Sequence, residues 1–122
     1  MHNESSSPLV SIIINCFNGE RYLNEAIDSI YSQTYTNWEI IFWDNGSCDK
    51  SKEIAKSYDH KLKYFRSEKT SILGTARVSA VEQANGDYFA FLDCDDTWYK
   101  DKLQIQMKIF FEDGDNLGMV YG

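Results

Sequence analysis

The sequence predicts an α/β fold in which one parallel β-sheet carries helices on both faces. Within the 122 residues, short runs of β-branched and aromatic residues alternate with longer segments whose apolar residues recur every three or four positions. The short runs are almost continuously apolar, which is typical of strands buried on both faces of a parallel sheet. The length suits one domain, and neither a repeat nor a Pro/Gly-rich linker divides it.

The first half of the chain holds two cycles of strand and helix. Leu9–Cys16 is a β-branched run of strand length, and after an Asn-Gly pair the spacing predicts a helix over Arg21–Gln33. Trp38–Trp43 is the second predicted strand. Asp49–Tyr58 is predicted to be a short helix, capped by its first residue or by Ser47.

The second half continues the same alternation. Leu62–Arg66 is the third predicted strand, and alanines at every fourth position predict a helix over Gly74–Asn85. Tyr88–Leu92 is the fourth strand. An amphipathic helix is predicted from about Trp98 to Phe111, and Gly118–Tyr121 opens a fifth strand. Such alternation requires crossover connections between parallel strands.

Charge, hydropathy and cysteine content limit the partners and the compartment. Lys and Arg number 12 against 19 Asp and Glu, so the net charge of −7 argues against nucleic-acid phosphates or an anionic membrane surface as main partner. No apolar run reaches the roughly 20 residues that span a bilayer. Residues 1–8 are polar and are expected to form a disordered lead-in. Three widely spaced cysteines do not indicate a disulfide framework, so a reducing cytoplasm is the simplest compartment.

Three carboxylates follow the fourth predicted strand, at the edge where open parallel sheets bind their ligands. Asp93, Asp95 and Asp96 lie within four residues, and like charges this close repel one another. A divalent cation with oxygen ligands relieves that repulsion. The alternative is that Asp96 or Thr97 caps the next helix while the other carboxylates face water.

Asp44 and Arg77 each have a ligand-binding and a structural interpretation. Asp44 ends the second strand and suits the hydrogen-bond donors of a base or ribose, or it stabilises an Asx-type turn. Arg77 lies near a helix start, where it opposes the helix dipole. Its partner is then Asp93, Asp95 or a ligand diphosphate, or its side chain is solvated.

The three cysteines are further candidate site residues, and two absent motifs exclude classes of function. Cys16, Cys48 and Cys94 each fall just past a strand end, where they converge on a pocket rim or are ordinary buried thiols. No Gly-x-Gly-x-x-Gly follows the first strand and no phosphate-binding loop ends in Gly-Lys-Ser/Thr. Dinucleotide-binding and nucleoside-triphosphatase functions are therefore excluded.

Four segments in this order resemble family 2 glycosyltransferases, whose GT-A fold has a Rossmann-like parallel sheet with helices on both faces. They are Val10–Asn18 with the helix after it, Trp38–Asp49, Gly74–Arg77, and Ala84–Asp96, which ends in an Asp-x-Asp (DXD) motif. The resemblance covers nearly everything from the first of these segments onward. Three residues depart from the family pattern, with Asn15 in place of Pro, Asn45 in place of Asp and Val78 in place of Asn.

The resemblance implies a site for a nucleotide sugar with Mn²⁺ or Mg²⁺. The backbone of residues 15–17 and the Asp44 carboxylate are expected to hold the base, and Asp93 to face the ribose. Asp95 is expected to bind the metal that bridges the diphosphate, and Arg77 to lie near the phosphates. The nucleotide-binding residues expected on this basis are Asn15, Cys16, Phe17, Asn18, Glu20, Asp44, Asn45, Gly46, Arg77, Asp93, Cys94 and Asp95, and the metal ligands are Asp95 and Asp93.

The function implied is that of the donor-binding part of a glycosyltransferase, spanning residues 9–122. A sugar passes from a nucleoside diphosphate, with UDP favoured, to a hydroxyl of an acceptor sugar or lipid-linked glycan, with inversion, in polysaccharide biosynthesis. The family's acceptor-binding half, which supplies the catalytic base, is expected to be missing from this chain. Glu112, Asp113 and Asp115 are expected to be solvated residues of a polar loop.

Two alternatives and two further expectations accompany this function. The alternatives are a non-catalytic nucleotide-binding module and a sugar nucleotidyltransferase. The region from Phe110 to Tyr121 is expected to form a homodimer, because its apolar residues lie where the family's sheet continues. The longer enzyme is expected in the cytoplasm, at the inner face of the membrane.

Overall fold

The computed structural model describes residues 8–67, 81–113 and 119–121, with side chains described as far as residue 108. The strands are β1 (Val10–Cys16), β2 (Trp38–Asp44), β3 (Leu62–Arg66), β4 (Tyr88–Asp93) and β5 (Met119–Tyr121). The helices are α1 (Glu20–Tyr31), α2 (Ser51–Lys56) and α3 (Lys102–Asp113). The predicted alternation of strands and helices is confirmed. Residues 81–82 are helical, and the part of the predicted helix before them, with Arg77 and Val78, lies outside the described residues.

The strands form one parallel sheet in the order β3-β2-β1-β4-β5. The chain moves outward from the central strand β1 through β2 to β3, and then crosses to the other side of β1 to add β4 and β5. The direction of winding therefore reverses between β1 and β4. Connections that leave in opposite directions open a crevice at the carboxyl ends of such a strand pair.

The core covers both faces of β1, which explains its continuous apolar run. Ile12 and Ile14 are fully buried in a cluster that includes Leu23 of α1 and Leu103 of α3. On the opposite face, Ile13 packs with residues of β2 and with the helical segment around residue 81. Each of these fully buried side chains contributes about 1.5–3 kcal/mol of transfer free energy to folding.

The start of α3 differs from the prediction because contacts with α1 hold the preceding segment in place. Trp98 is buried in the core and its backbone N–H donates to Ser29 Oγ at 3.2 Å. The carbonyl of Lys100 accepts from the backbone N–H of Thr34. The helix therefore begins only at Lys102, and Asp96 and Thr97 are too far from its first turn to cap it.

The end of α3 corrects a second prediction. Glu112 and Asp113 belong to the last turn of this helix rather than to a polar loop. The sequence offers no helix-ending residue before Gly114, so the helical hydrogen bonds continue past the aromatic pair. Asp115 lies outside the described residues. Within the described part of the chain, no helix combines the length and apolar character needed to cross a bilayer.

Candidate functional site

A cleft of about 510 Å³ opens at the carboxyl edge of the sheet, between the ends of β1 and β4. Its position is the reversal point of the strand order, and its volume lies within the range of small-molecule sites. The lining comes from the end of β1, the first turn of α1 and the loop after β4. These residues are Asn15, Phe17, Asn18, Gly19, Arg21, Tyr22, Asp93, Cys94 and Asp95.

One wall of the cleft is acidic. Asp93 is the last residue of β4, paired in register with Asn15 of β1, and Asp95 follows in the turn. Both carboxylates are exposed, as an Asp-x-Asp pair facing a ligand must be. Among the described residues, no group of three or more His, Cys, Asp or Glu side chains is arranged to hold a metal. Two carboxylates fit a hard divalent cation only when ligand or water oxygens complete its shell.

The part of the lining around the start of α1 carries aromatic surface and the Arg21 guanidinium group. The Phe17 and Tyr22 side chains are about half exposed, at 50% and 46%. The Arg21 Cζ atom lies 5.5 Å from the centre of the Tyr22 ring. Sequence reasoning missed Gly19, Arg21 and Tyr22 as site residues. The signal was available, because a helix that follows the carboxyl end of β1 directs its first turn toward that same edge.

Asn15 brings an unpaired acceptor to the cleft. Its Oδ1 atom is buried and has no hydrogen-bond partner among the described residues. A buried acceptor without a donor costs about 1–3 kcal/mol of folding free energy. This amide replaces the proline expected at this position, so the acceptor is a departure from the family pattern.

The backbone N–H groups at the start of α1 are already engaged. Asn18 N–H donates to Ser47 Oγ, Gly19 N–H to Ser51 Oγ and Glu20 N–H to Asp49 Oδ2, at 2.8, 2.9 and 3.1 Å. In return, Cys48 N–H donates to Asn18 Oδ1 and Lys50 N–H to Glu20 Oε1. We call residues 17–20 and 45–51 the interlocked loops. Since their hydrogen bonds occupy these donors, the positive charge that the described cleft lining offers to an anion is that of Arg21.

The interlocked loops also decide the roles of several predicted residues. The Glu20 carboxylate, predicted to bind nucleotide, does not line the cleft. It accepts a hydrogen bond from the Lys50 N–H instead. Asn45 is buried and its backbone N–H donates to the Cys16 carbonyl, while Gly46 takes a φ of 86° that favours glycine. The α2 helix begins at Ser51 with Lys50 at its N-cap position, so neither predicted residue is the N-cap, although Asp49 accepts from the Ser51 N–H.

Asp44 is fully buried and outside the cleft lining. Its Oδ1 accepts from the Ser47 N–H at 2.8 Å, as an Asx-type turn requires. Its Oδ2 accepts from Tyr64 Oη and from Arg66 Nη1, at 2.5 and 3.0 Å. Burial raises the pKa of Tyr64 to about 12, and the hydrogen bond to the carboxylate acts in the same direction. These contacts agree with the interpretation of Asp44 as the residue that stabilises an Asx-type turn.

Two of the three cysteines converge beneath the cleft. Cys16 is buried and Cys94 lines the cleft, while Cys48 is exposed elsewhere. The two inner thiols hydrogen-bond to each other. That bond lowers the pKa of Cys16 and raises the pKa of Cys94. Of the cysteines predicted at a pocket rim, Cys94 lines the cleft, whereas Cys16 is a buried thiol behind it.

A family model described as "Glycosyl transferase family 2" matches residues 11–121. The chain belongs to this family. WfgD of Escherichia coli, a UDP-Glc:alpha-D-GlcNAc-diphosphoundecaprenol beta-1,3-glucosyltransferase, is 34% identical over 115 residues, which are 93% of this chain and 45% of WfgD. The chain spans less than half the length of the curated relatives it matches.

Solved structures of two other proteins share the fold. The structure of S. aureus TarS 1-349 in complex with UDP-GlcNAc matches with a TM-score of 0.80 and 30% identity, covering 84% of this chain and 31% of that one. The mannosyltransferase PcManGT from Pyrobaculum calidifontis, in complex with GDP-Man and Mn²⁺, matches with a TM-score of 0.80, 22% identity and coverage of 87% and 33%. The GT-A assignment of the α/β sheet is confirmed.

Proposed function

We propose that this chain binds the nucleotide-sugar donor of a glycosyltransferase in the cleft between β1 and β4. The observation that carries the proposal is the pair of exposed carboxylates, Asp93 and Asp95, in a cleft at the reversal point of the sheet. The family supports nucleotide-sugar chemistry. UDP-GlcNAc in the TarS structure and UDP-Glc in the name of WfgD favour UDP as the nucleotide.

A divalent cation, Mn²⁺ or Mg²⁺, is proposed at Asp95 and Asp93. When bound, it supplies positive charge that neutralises the diphosphate as a leaving group. The backbone N–H groups of residues 18–20 donate to side chains of residues 45–51 and are not free to bind phosphate. This supports a cation as the source of positive charge. Mn²⁺ in the PcManGT structure agrees with such a site. Arg21, and Arg77 outside the described residues, are proposed to face the phosphates.

The base is proposed to lie toward Asp44, against the aromatic surface of Phe17. An ionised carboxylate accepts hydrogen bonds only, so it selects a base that carries a ring N–H. Arg66 now covers the carboxylate, and its side chain is 38% exposed. The proposal therefore requires the guanidinium to move aside when the nucleotide binds.

The transfer itself is proposed for the longer enzyme to which this chain corresponds. An acceptor hydroxyl of a sugar or a lipid-linked glycan, deprotonated by a general base, attacks the anomeric carbon with inversion. The carboxylates that line the described cleft are Asp93 and Asp95, and both are assigned to the cation. The base is therefore proposed to lie outside the described residues, and the enzyme to act at the cytoplasmic face of the membrane in polysaccharide synthesis.

Thermal unfolding with UDP, GDP and CMP, each with Mn²⁺, Mg²⁺ or EDTA, tests the proposal. A ligand at about 100 times its Kd stabilises the fold by roughly 2.7 kcal/mol. We expect a stabilisation that requires metal and is lost in Asp95→Asn. Asp96→Asn is the matched control, because Asp96 is exposed but does not line the cleft. Absence of a metal-dependent shift with every nucleotide would contradict the proposal.

The role of Asp44 has a separate test in calorimetry. UDP is expected to bind most tightly, dTDP and GDP less so, and cytidine nucleotides most weakly, because N3 of neutral cytosine has no hydrogen to donate. Equal affinities for UDP and CDP, the matched diphosphate, would show that Asp44 only orients the Ser47 turn, Tyr64 and Arg66.

A further inference from the structure

We propose that Cys16 and Cys94 form a thiol–disulfide pair whose oxidation closes the cleft to nucleotide. The pair lies at the carboxyl ends of two neighbouring parallel strands. Cys16 is the last residue of β1, and Cys94 follows the last residue of β4, next to the paired residues Asn15 and Asp93. Formation of the disulfide depends only on the positions of these two cysteines. The control of nucleotide binding rests on the function proposed above.

The two sulfur atoms meet at the backbone of Gly19. A Cβ atom on this glycine would lie 3.0 Å from Cys16 Sγ and 2.7 Å from Cys94 Sγ. Both sulfurs are thus close to a single point beside the Gly19 backbone. Cross-strand neighbours fall within the usual Cα separation of disulfides, about 4.4–6.8 Å. Any larger residue in place of Gly19 would displace the pair.

The different exposure of the two cysteines decides which thiol reacts first with an oxidant. Cys94 lines the cleft and is reachable by a small reagent, whereas Cys16 is 2% exposed beneath it. A thiol that a reagent can reach, with a second thiol beside it, is the arrangement in which a mixed disulfide is resolved within the protein. Cys48 is exposed, and its hydrogen-bond contact is the Gly46 carbonyl rather than a thiol.

The oxidant is a low-molecular-weight disulfide, written RSSR. The Cys94 sulfur attacks RSSR, so that a Cys94–SR bond forms, the S–S bond of RSSR breaks, and one RSH leaves with the Cys94 proton. Cys16 then attacks the Cys94 sulfur, the Cys16–Cys94 bond forms, and the second RSH leaves. The protein loses two hydrogens and two electrons, and RSSR gains both. A reducing compartment keeps the pair as thiols until its disulfide content rises.

The consequence for the cleft follows from the position of Cys94 between the proposed metal ligands. A disulfide brings the sulfurs to about 2.05 Å and fixes the dihedral angle between the cysteines. Drawing the Cys94 sulfur to bonding distance from Cys16 moves the Cys94 backbone, which joins Asp93 to Asp95. We expect the oxidised protein to lose its metal-dependent affinity for nucleotide.

The redox step is tested with oxidised glutathione on the Cys48→Ser variant, followed by peptide mass mapping without reduction. The expected product is a peptide pair joined through Cys16 and Cys94, two hydrogens lighter than the thiol form. The Cys94→Ser variant is expected to form no internal disulfide, and wild-type Cys48 to take up glutathione. Recovery of unmodified thiols or of Cys94–glutathione alone, under conditions in which wild-type Cys48 reacts, would overturn the proposal.

Control of the cleft is tested by thermal unfolding of both redox forms with UDP and Mn²⁺. A stabilisation of the reduced form that disappears in the oxidised form and returns with dithiothreitol supports the proposal. Equal stabilisation of both forms overturns the control. If neither form responds to any nucleotide while the disulfide forms, the proposed function fails and the redox pair stands.

Discussion

At the scale of single residues, most of the polar groups described above at the carboxyl edge of the sheet have hydrogen-bond partners, and one buried acceptor does not. The Asp44 carboxylate accepts three hydrogen bonds, and the N–H groups of residues 18–20 are all engaged. Asn15 Oδ1 is buried in the cleft without a donor in the described part of the chain. A rotation of the Asn15 amide toward the cleft, which this residue lines, would present the acceptor to a ligand hydroxyl or N–H.

Asn15→Val is expected to change stability and affinity in opposite directions. Removing the buried unpaired acceptor raises the free energy of unfolding by about 1 kcal/mol, and valine suits a strand. Loss of the same acceptor weakens nucleotide binding by about fivefold, the value of one hydrogen bond of ~1 kcal/mol. Urea unfolding and calorimetry measure the two effects. Raised stability with unchanged affinity would mean that the amide does not contact the ligand.

The positions of some of these residues can be predicted from the sequence, whereas the contacts of others cannot. The Asp93 and Asp95 pair follows an apolar strand in the sequence, so its place at the edge was visible from pattern alone. The hydrogen bonds of Asp44 with Tyr64 and Arg66 cross 20 and 22 residues between adjacent strands. Their existence depends on the register of β2 and β3, which no local pattern specifies.

At the scale of elements, one buried carboxylate joins the amino ends of the strands at the edge opposite the cleft. Glu39 of β2 accepts from Ser11 of β1 at 2.6 Å and from Lys63 of β3 at 2.8 Å. It also accepts from the Asn85 N–H before β4, and Gly86 N–H donates to the same serine. Burial raises the pKa of Glu39, but the hydrogen bonds from Lys63, Ser11 and Asn85 outweigh it and lower the pKa below its usual range.

The lowered pKa of Glu39 predicts a specific loss of stability in acid. A carboxylate whose pKa is lower in the folded state stabilises the protein above its unfolded pKa, near 4.5. That contribution is lost as the pH falls through the folded value. Glu39→Gln is expected to lower the free energy of unfolding at pH 7 by about 2 kcal/mol and to reduce its decline in acid.

Urea unfolding of both proteins between pH 7 and pH 3 measures this contribution as the difference between their curves. Glu25→Gln, an exposed substitution on α1, is the matched control and is expected to change the free energy of unfolding by less than about 0.5 kcal/mol. Parallel curves for wild type and Glu39→Gln would contradict the role of this carboxylate.

The elements themselves were largely predictable, and their ends were not. Continuous apolar runs identified the strands, because a parallel sheet buries both faces of each. The helix boundaries depend on contacts distant in sequence, such as Trp98 N–H with Ser29 and Thr34 N–H with Lys100. Those contacts delay the start of α3 beyond the point where its amphipathic pattern begins.

At the scale of the whole molecule, one edge of the sheet suggests self-association. β5 pairs with β4 on one side, and α3 next to it in sequence exposes half of Ile105. The side chains from Phe110 onward, on which the predicted dimer depends, lie outside the described side chains. The dimer therefore stays a prediction.

Light scattering over a concentration series tests the dimer. We expect the mass of a two-fold dimer at high micromolar concentration, since symmetric dimers are the commonest closed assembly. Ile105→Lys is expected to shift the mass toward the monomer, and Gln104→Lys, at the exposed neighbouring position, to leave it unchanged. A monomer at every concentration would contradict the prediction.

The interlocked loops have a consequence for recombination between this chain and its relatives. Each loop supplies the side chains that satisfy the other's backbone, through Ser47, Asp49 and Ser51 in one direction and Asn18 and Glu20 in the other. A chimera that imports only one loop leaves several donors without acceptors at the rim of the cleft. The two loops, though separated by α1 and β2, must therefore be exchanged together, as a single module of inheritance or of engineering.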